Sequence, residues 1–143
     1  MKEIRSEIEI NASAERVCRV LTDFASFPQW NPFMRRASGE VKEGARLGVN
    51  LQPTGARSMT FRPIILKAEP NRELRWSGKL LIPGLFDGEH ILTIEPLGEN
   101  RVCFVQHEIF KGLLGPLMSG SLDKDAKRGF EEMNRALKDR AEQ

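Results

Sequence analysis

Residues 87–110 read DGEHILTIEPLGENRVCFVQHEIF, two alternating runs on either side of Gly98-Glu99-Asn100. In the second run Val102, Phe104, Gln106, Glu108 and Phe110 share one face, and Cys103, Val105, His107 and Ile109 share the other. In the first, His90, Leu92 and Ile94 fall together, opposed by Ile91, Thr93 and Glu95. Strand side chains alternate with a period of two, so the spacing predicts two strands, Asp87–Pro96 and Arg101–Phe110, paired across a short turn. With Gly98–Asn100 as the turn, residues near 90 lie opposite residues near 106. His90 is then expected to face Gln106 directly and Glu108 diagonally, within cross-strand reach.

Upstream of this hairpin the same signal repeats. Ser58–Glu69 and Glu73–Leu81 have strand length, and Glu43-Gly44, Pro53-Thr54-Gly55, Glu69-Pro70-Asn71 and Pro83-Gly84 punctuate them. Short connections favour an antiparallel meander over crossover helices. Pro63 cannot donate to a ladder, so a bulge or an edge-facing position is expected there. Lys2 to Ile10 alternates too, with Ile4, Ser6, Ile8 and Ile10 on one face. Ser13 then reads as the N-cap of a helix carrying Val17, Val20, Leu21 and Phe24, although Arg16 stands where a capping-box Glu would. Asp23 to Gln29 can form a second short helix, limited by Pro28 and Pro32.

Downstream the period changes. Leu117/Met118, Leu122, Ala126, Phe130, Met133 and Leu137 recur at three- to four-residue steps, with charged residues opposite. That pattern predicts an amphipathic helix of about 25 residues, from about Gly115 to Arg140. Gly120 and Gly129 lie inside it, each a weak helix former that permits a bend or a close approach. The order is strand, two short helices, about six strands and one long helix, which is α+β.

Composition narrows the function classes without choosing one. The 143 residues fit one domain, 1–143, and 40% hydrophobic with 29% charged is a globular balance. A net charge of +2 is too small to argue for nucleic acid or an anionic membrane. Apolar stretches such as Leu80-Leu81-Ile82 are too short for membrane insertion. The start, Met1-Lys2-Glu3-Ile4-Arg5, lacks the apolar run of a secretion signal, so the expected location is cytoplasmic. Cys18, His90, Cys103 and His107 lack zinc-type paired spacing, and Cys103 and His107 stand about 13 Å apart by strand rise. Gly-rich phosphate loops and a Gly-x-Ser-x-Gly elbow are absent, so neither metal nor cofactor is expected.

Four passages resemble the START-like superfamily, also called SRPBCC, which includes polyketide cyclases/dehydrases and lipid-transport proteins. They are Ala14-Glu15-Arg16-Val17 through Phe33, Arg72-Glu73-Leu74-Arg75-Trp76-Ser77-Gly78, Gly84 to His90 leading into Ile94-Glu95-Pro96, and Glu108 to Leu114 followed by the long helix. Together they span nearly the whole chain. The resemblance implies a helix-grip fold: a curved antiparallel sheet of about six to seven strands around the C-terminal helix, with an apolar cavity between. It also implies that the Phe104–Phe110 face is the concave one. Fold alone does not give a reaction.

On that concave wall His90, Gln106 and Glu108 form a small convergent polar set of the kind ligand sites use. His90 and Glu108 are the candidate catalytic pair, binding or exchanging protons with an oxygenated ligand; the alternative is a set that only satisfies itself by hydrogen bonds. The expected lining adds Trp30, Phe61, Trp76 and Phe86, large groups able to line or close a pocket but equally able to be plain core. Leu92, Phe104, Phe110, Ala126 and Phe130 complete it. Phe86 falls in the Pro83–Gly88 stretch, where glycines favour a mobile, mouth-like loop. Arg62 is the charge in the middle of its run, an anion anchor or a solvent-facing group, and Cys18 reads as a small core residue.

Three functions remain open. The first is binding of a hydrophobic small molecule, such as a lipid or polyketide-like ring compound. The second is a cyclase or dehydratase using the His90–Glu108 pair. The third is a protein-interaction module, which an exposed apolar patch outside the cavity would favour.

Overall fold

Strand β1 (Lys2–Ile10) has the expected alternation, and Ser13 caps α1 (Ala14–Thr22) by accepting from the Arg16 amide at 3.1 Å. A 3₁₀ turn (Phe24–Ser26) and α2 (Phe27–Trp30) follow, where one short helix was expected. The strands are then β2 (Met34–Ser38), β3 (Gly48–Leu51), β4 (Met59–Phe61), β5 (Ile64–Glu69), β6 (Glu73–Leu80), β7 (Phe86–Gly98) and β8 (Arg101–Lys111). Helix α3 (Ser121–Ala141) ends the chain. This computed structural model describes residues 2–52, 58–80, 86–111 and 121–143. The Pro53–Gly55 turn, the Pro83–Gly84 mouth loop, the side chains of Phe86 and Leu122, and Gly115 to Gly120 with Leu117 and Met118 lie outside the described residues.

The architecture is the α+β helix-grip, with a correction to its sheet. The described strands form two antiparallel sheets, β1-β8-β7-β6-β5 and β2-β3-β4, where one sheet of six or seven strands was expected. Proline explains the division. The expected strand Ser58–Glu69 breaks at Arg62-Pro63, because Pro63 has no N–H for a ladder, and the chain passes there from the small sheet to β5. The segment before β3 runs along the β5 edge. Gly44 N donates to Ile65 O at 2.8 Å, Ile65 N to Ala45 O at 2.9 Å, and Leu47 N to Pro63 O at 2.8 Å. The small sheet thus continues the curve of the large one.

The central hairpin also departs from expectation. His90 pairs with Glu108 and Leu92 with Gln106, two residues from the predicted register. Gly98 pairs with Arg101, and the register shifts between Pro96 and Gly98. The tighter turn and the bulge cancel, so the register is the one that a three-residue Gly98–Asn100 turn requires, with Leu97 level with Arg101 and His90 opposite Glu108. A two-residue offset is one full pleat repeat, so it changes who stands opposite whom and leaves the faces intact. At the β5–β6 turn, Pro70 precedes Asn71 in the left-handed region (φ 64°), and Arg72 N donates to Glu69 O at 3.1 Å. Pro followed by Asn at positive φ is the chemistry of a type II turn.

Helix α3 lies against β1 and the concave face, with Phe130, Met133 and Leu137 buried and Ala126 half-buried, in the predicted phase. Gly129 allows the close approach its position suggested. A Cβ there would stand 2.4 Å from the Phe33 ring, which packs edge-on against Phe130. Arg16, which spoils a capping box, has another task. Its guanidinium donates to the carbonyls of Ala141 and Arg140 at 3.3 and 3.2 Å, satisfying the end of α3 and meeting its negative dipole end.

Candidate functional site

His90 is the centre of the concave wall. Its ring stacks on Trp76, its direct cross-strand partner on β6, with centroids 5.3 Å apart and planes 19° from parallel. Phe130 of α3 meets it edge-on at 5.1 Å. An imidazole held between two aromatic rings keeps one orientation, so its nitrogens address fixed neighbours.

Those neighbours are polar. Nδ1 lies 2.5 Å from Glu108 Oε2, and Nε2 lies 3.0 Å from Gln106 Oε1. The Glu108 contact is close but lacks hydrogen-bond alignment, and Oε2 is buried with no other partner among the described residues. We read it as an ionic contact, because the distance is too short for two unprotonated acceptors. Gln106 Nε2 donates to Asn134 Oδ1 at 2.7 Å and to Phe130 O at 3.3 Å, and Asn134 Nδ2 donates to Ser6 Oγ at 3.0 Å. A buried polar chain therefore runs Glu108–His90–Gln106–Asn134–Ser6, from β8 to β7, back to β8, and on to α3 and β1.

Of the sequence candidates, the structure brings together Trp76, His90, Gln106, Glu108 and Phe130. The expected direct His90–Gln106 pairing is corrected: Glu108 stands opposite His90 and Gln106 reaches it diagonally. Leu92 and Phe104 are buried on the same face, and Phe110 lies beside Gly88. Trp30 packs edge-on against Phe27 within the α2 cluster, and Phe61 ends β4 with its ring where a Gly78 side chain would be. Ala126 is a turn before Phe130 on α3. Arg62 is exposed between β4 and β5.

Asn134 and Ser6 escaped the sequence reading, although both carried a signal. Ser6 is a polar residue in the inward phase of β1, and Asn134 is one in the apolar stripe of α3. Each buried polar group needs a partner, and these two supply each other's.

A cavity of about 230 Å³ opens between α1 and the β5–β7 region, lined by Cys18, Leu21, Val41, Ala68, Leu74 and Leu92 among others. Of the candidate lining residues it touches Leu92, and it lies on the α1 side of the polar chain. Among the described residues no group of three or more His, Cys, Asp or Glu could hold a metal, and no helix is long and apolar enough to cross a membrane.

A family model described as polyketide cyclase/dehydrase and lipid transport matches residues 1–142. Solved structures share the fold. A START superfamily protein from Mycobacterium smegmatis is 22% identical with a TM-score of 0.78, covering 98% of this chain and 97% of that one. The di-domain ARO/CYC protein BexL gives 14% and 0.76, covering 97% of this chain and 46% of its own. The Zhui aromatase/cyclase from a Streptomyces species gives 15% and 0.71, with 99% and 93% covered. No curated protein sequence matches.

Proposed function

The chain belongs to the polyketide cyclase/dehydrase and lipid-transport family, with its START-like helix-grip fold, and from that premise we propose that it binds a hydrophobic small molecule between the concave wall and α3. A lipid or a polyketide-like ring compound fits this description. The observation that carries the reading is the His90–Glu108 pair, whose side chains are 6% and 13% exposed. Withdrawing such a pair from water costs several kcal/mol per ion, and apolar residues of similar volume would hold a core at least as well. A wall built only for stability gains nothing from it; a wall that must orient a ligand does. Trp76, Leu92, Phe104, Phe110 and Phe130 supply the apolar surface around the pair, and Trp30, Phe61, Phe86 and Ala126 complete the proposed lining.

Native mass spectrometry of purified protein should reveal a retained small molecule, and a hydrophobic fluorophore should titrate stoichiometrically while Trp76 emission responds. Saturable binding that is unaffected by Leu92→Phe or Phe104→Trp would place the ligand outside this wall.

A second reading, a cyclase or dehydratase, is favoured by the 2.5 Å Nδ1–Oε2 contact, which puts a base and its orienting carboxylate together. Glu108→Gln and His90→Asn separate the two readings. For an enzyme each should lower turnover by roughly 10²–10⁴-fold with binding nearly intact. For a binding protein each should change affinity by a modest factor.

A further inference from the structure

The buried polar chain has a direction, and one backbone atom sets it. Phe130 O is a carbonyl and can only accept. The Gln106 atom 3.3 Å from it is therefore the amide nitrogen, which also donates to Asn134 Oδ1 at 2.7 Å. Gln106 must then turn Oε1 to His90 Nε2, 3.0 Å away. An amide oxygen at that place requires a proton on Nε2. A neutral imidazole protonated at Nε2 has a bare lone pair at Nδ1, and Nδ1 stands 2.5 Å from Glu108 Oε2. Two bare acceptors repel at that distance, so we take the pair as an imidazolium beside a carboxylate, an ionic contact that needs no hydrogen-bond alignment.

Oε2 is then committed to His90, and the pair carries no net charge. Glu108 Oε1 differs. It turns over Gly88, 2.7 Å from where a Cβ would stand, and makes no hydrogen bond among the described residues. As a carboxylate oxygen, Oε1 presents only lone pairs. Resting on the ligand-binding reading above, we propose that Glu108 Oε1 is the polar recognition point of the wall, selecting an apolar ligand that carries a hydroxyl or N–H donor and disfavouring apolar carboxylates. A ligand carboxylate would bring its own lone pairs against Oε1, with no net positive charge in the pair to compensate. Gly88 is part of the device, since only a residue without a side chain leaves Oε1 its place.

Three probes of similar shape test this: 1-naphthol, 1-methoxynaphthalene and 1-naphthoate, titrated against the unmodified protein by calorimetry. The naphthol should bind about ten-fold or more tightly than its methyl ether, as one hydrogen bond to a charged acceptor allows, and the naphthoate should bind weakest. Glu108→Met and Gly88→Ala should each shrink the naphthol-to-ether ratio toward one. The alanine needs only the far end of the Glu108 side chain to move, so it keeps the test open if the methionine variant fails to fold. Equal binding of naphthol and ether, or a ratio that survives both substitutions, overturns donor selection and leaves cavity binding standing. Failure of all three probes to bind, with no molecule retained in native mass spectrometry, overturns the cavity reading and this inference with it. Nitrogen NMR of the free protein gives an independent check: His90 should carry its proton on Nε2, and an unprotonated Nε2 overturns the assigned direction.

Discussion

Gln106 is fully buried, and its side chain makes three hydrogen bonds, one to His90 within the sheet and two to α3. Gln106→Leu would fit the space yet leave His90 Nε2 and Asn134 Oδ1 without their partner. A stability loss of about 1–3 kcal/mol per stranded group is expected from urea unfolding. A loss near zero would mean that water replaces the amide. Phe130→Ala should cost roughly 3–5 kcal/mol, because the ring is 2% exposed and contacts both His90 and Phe33. Below about 1 kcal/mol the assigned phase of α3 would be wrong. On the opposite face, burial and then the Glu7 and Glu95 carboxylates hold the Cys103 thiol above its ordinary 9.0. The fold therefore favours the protonated thiol. That contribution is complete below 9.0 and is lost as pH rises through the higher native value. Alkylation of Cys103 should show a midpoint above 9.0 that falls in Glu7→Gln; a midpoint below 9.0 would contradict the arrangement.

Between elements, contact depends on what a residue lacks as much as on what it offers. Helix α3 meets the Phe33 segment because Gly129 has no side chain. Gly129→Ala would gain helix propensity of roughly 1 kcal/mol and lose more to overlap with the Phe33 ring. Net destabilisation of about 1–2 kcal/mol is expected, with Phe33→Leu recovering part of it in a double-mutant cycle. Additive losses would show that the ring moves aside freely. Pro63 acts by the same logic on strands: its missing N–H ends β4 and lets β5 begin in the larger sheet.

Across the whole molecule, the two chain ends are fastened together. Glu142 accepts from the Asn11 amide at 2.8 Å and from Lys138 Nζ at 2.5 Å, while Lys138 also reaches Glu9 O at 3.2 Å. The Lys138 hydrogen bond first, and the Asn11 amide second, hold the Glu142 carboxyl below its ordinary 4.5. A lowered carboxylate contributes stability above its unfolded value and loses it as pH falls through the native one. Glu142→Gln should therefore be less stable than the parent at neutral pH, with the difference disappearing well below 4.5. A difference that persists in acid would assign the effect to packing instead.

Local pattern by itself determined much of this protein. Period-two alternation gave β1, β7 and β8 with the residues that share each face, run length and turn residues gave β6, and the three- to four-residue stripe gave the phase of α3. Ser13 marked the start of α1. These are properties of consecutive residues, so they survive without knowledge of distant partners. What only the tertiary structure decided depends on residues far apart in the chain. Arg16 found its acceptors 125 and 124 residues away at the end of α3. Ser6 and Asn134, 128 residues apart, became partners only when β1 and α3 closed on each other. A buried donor seeks whichever acceptor the packed fold brings near, and period alone cannot say which one that is.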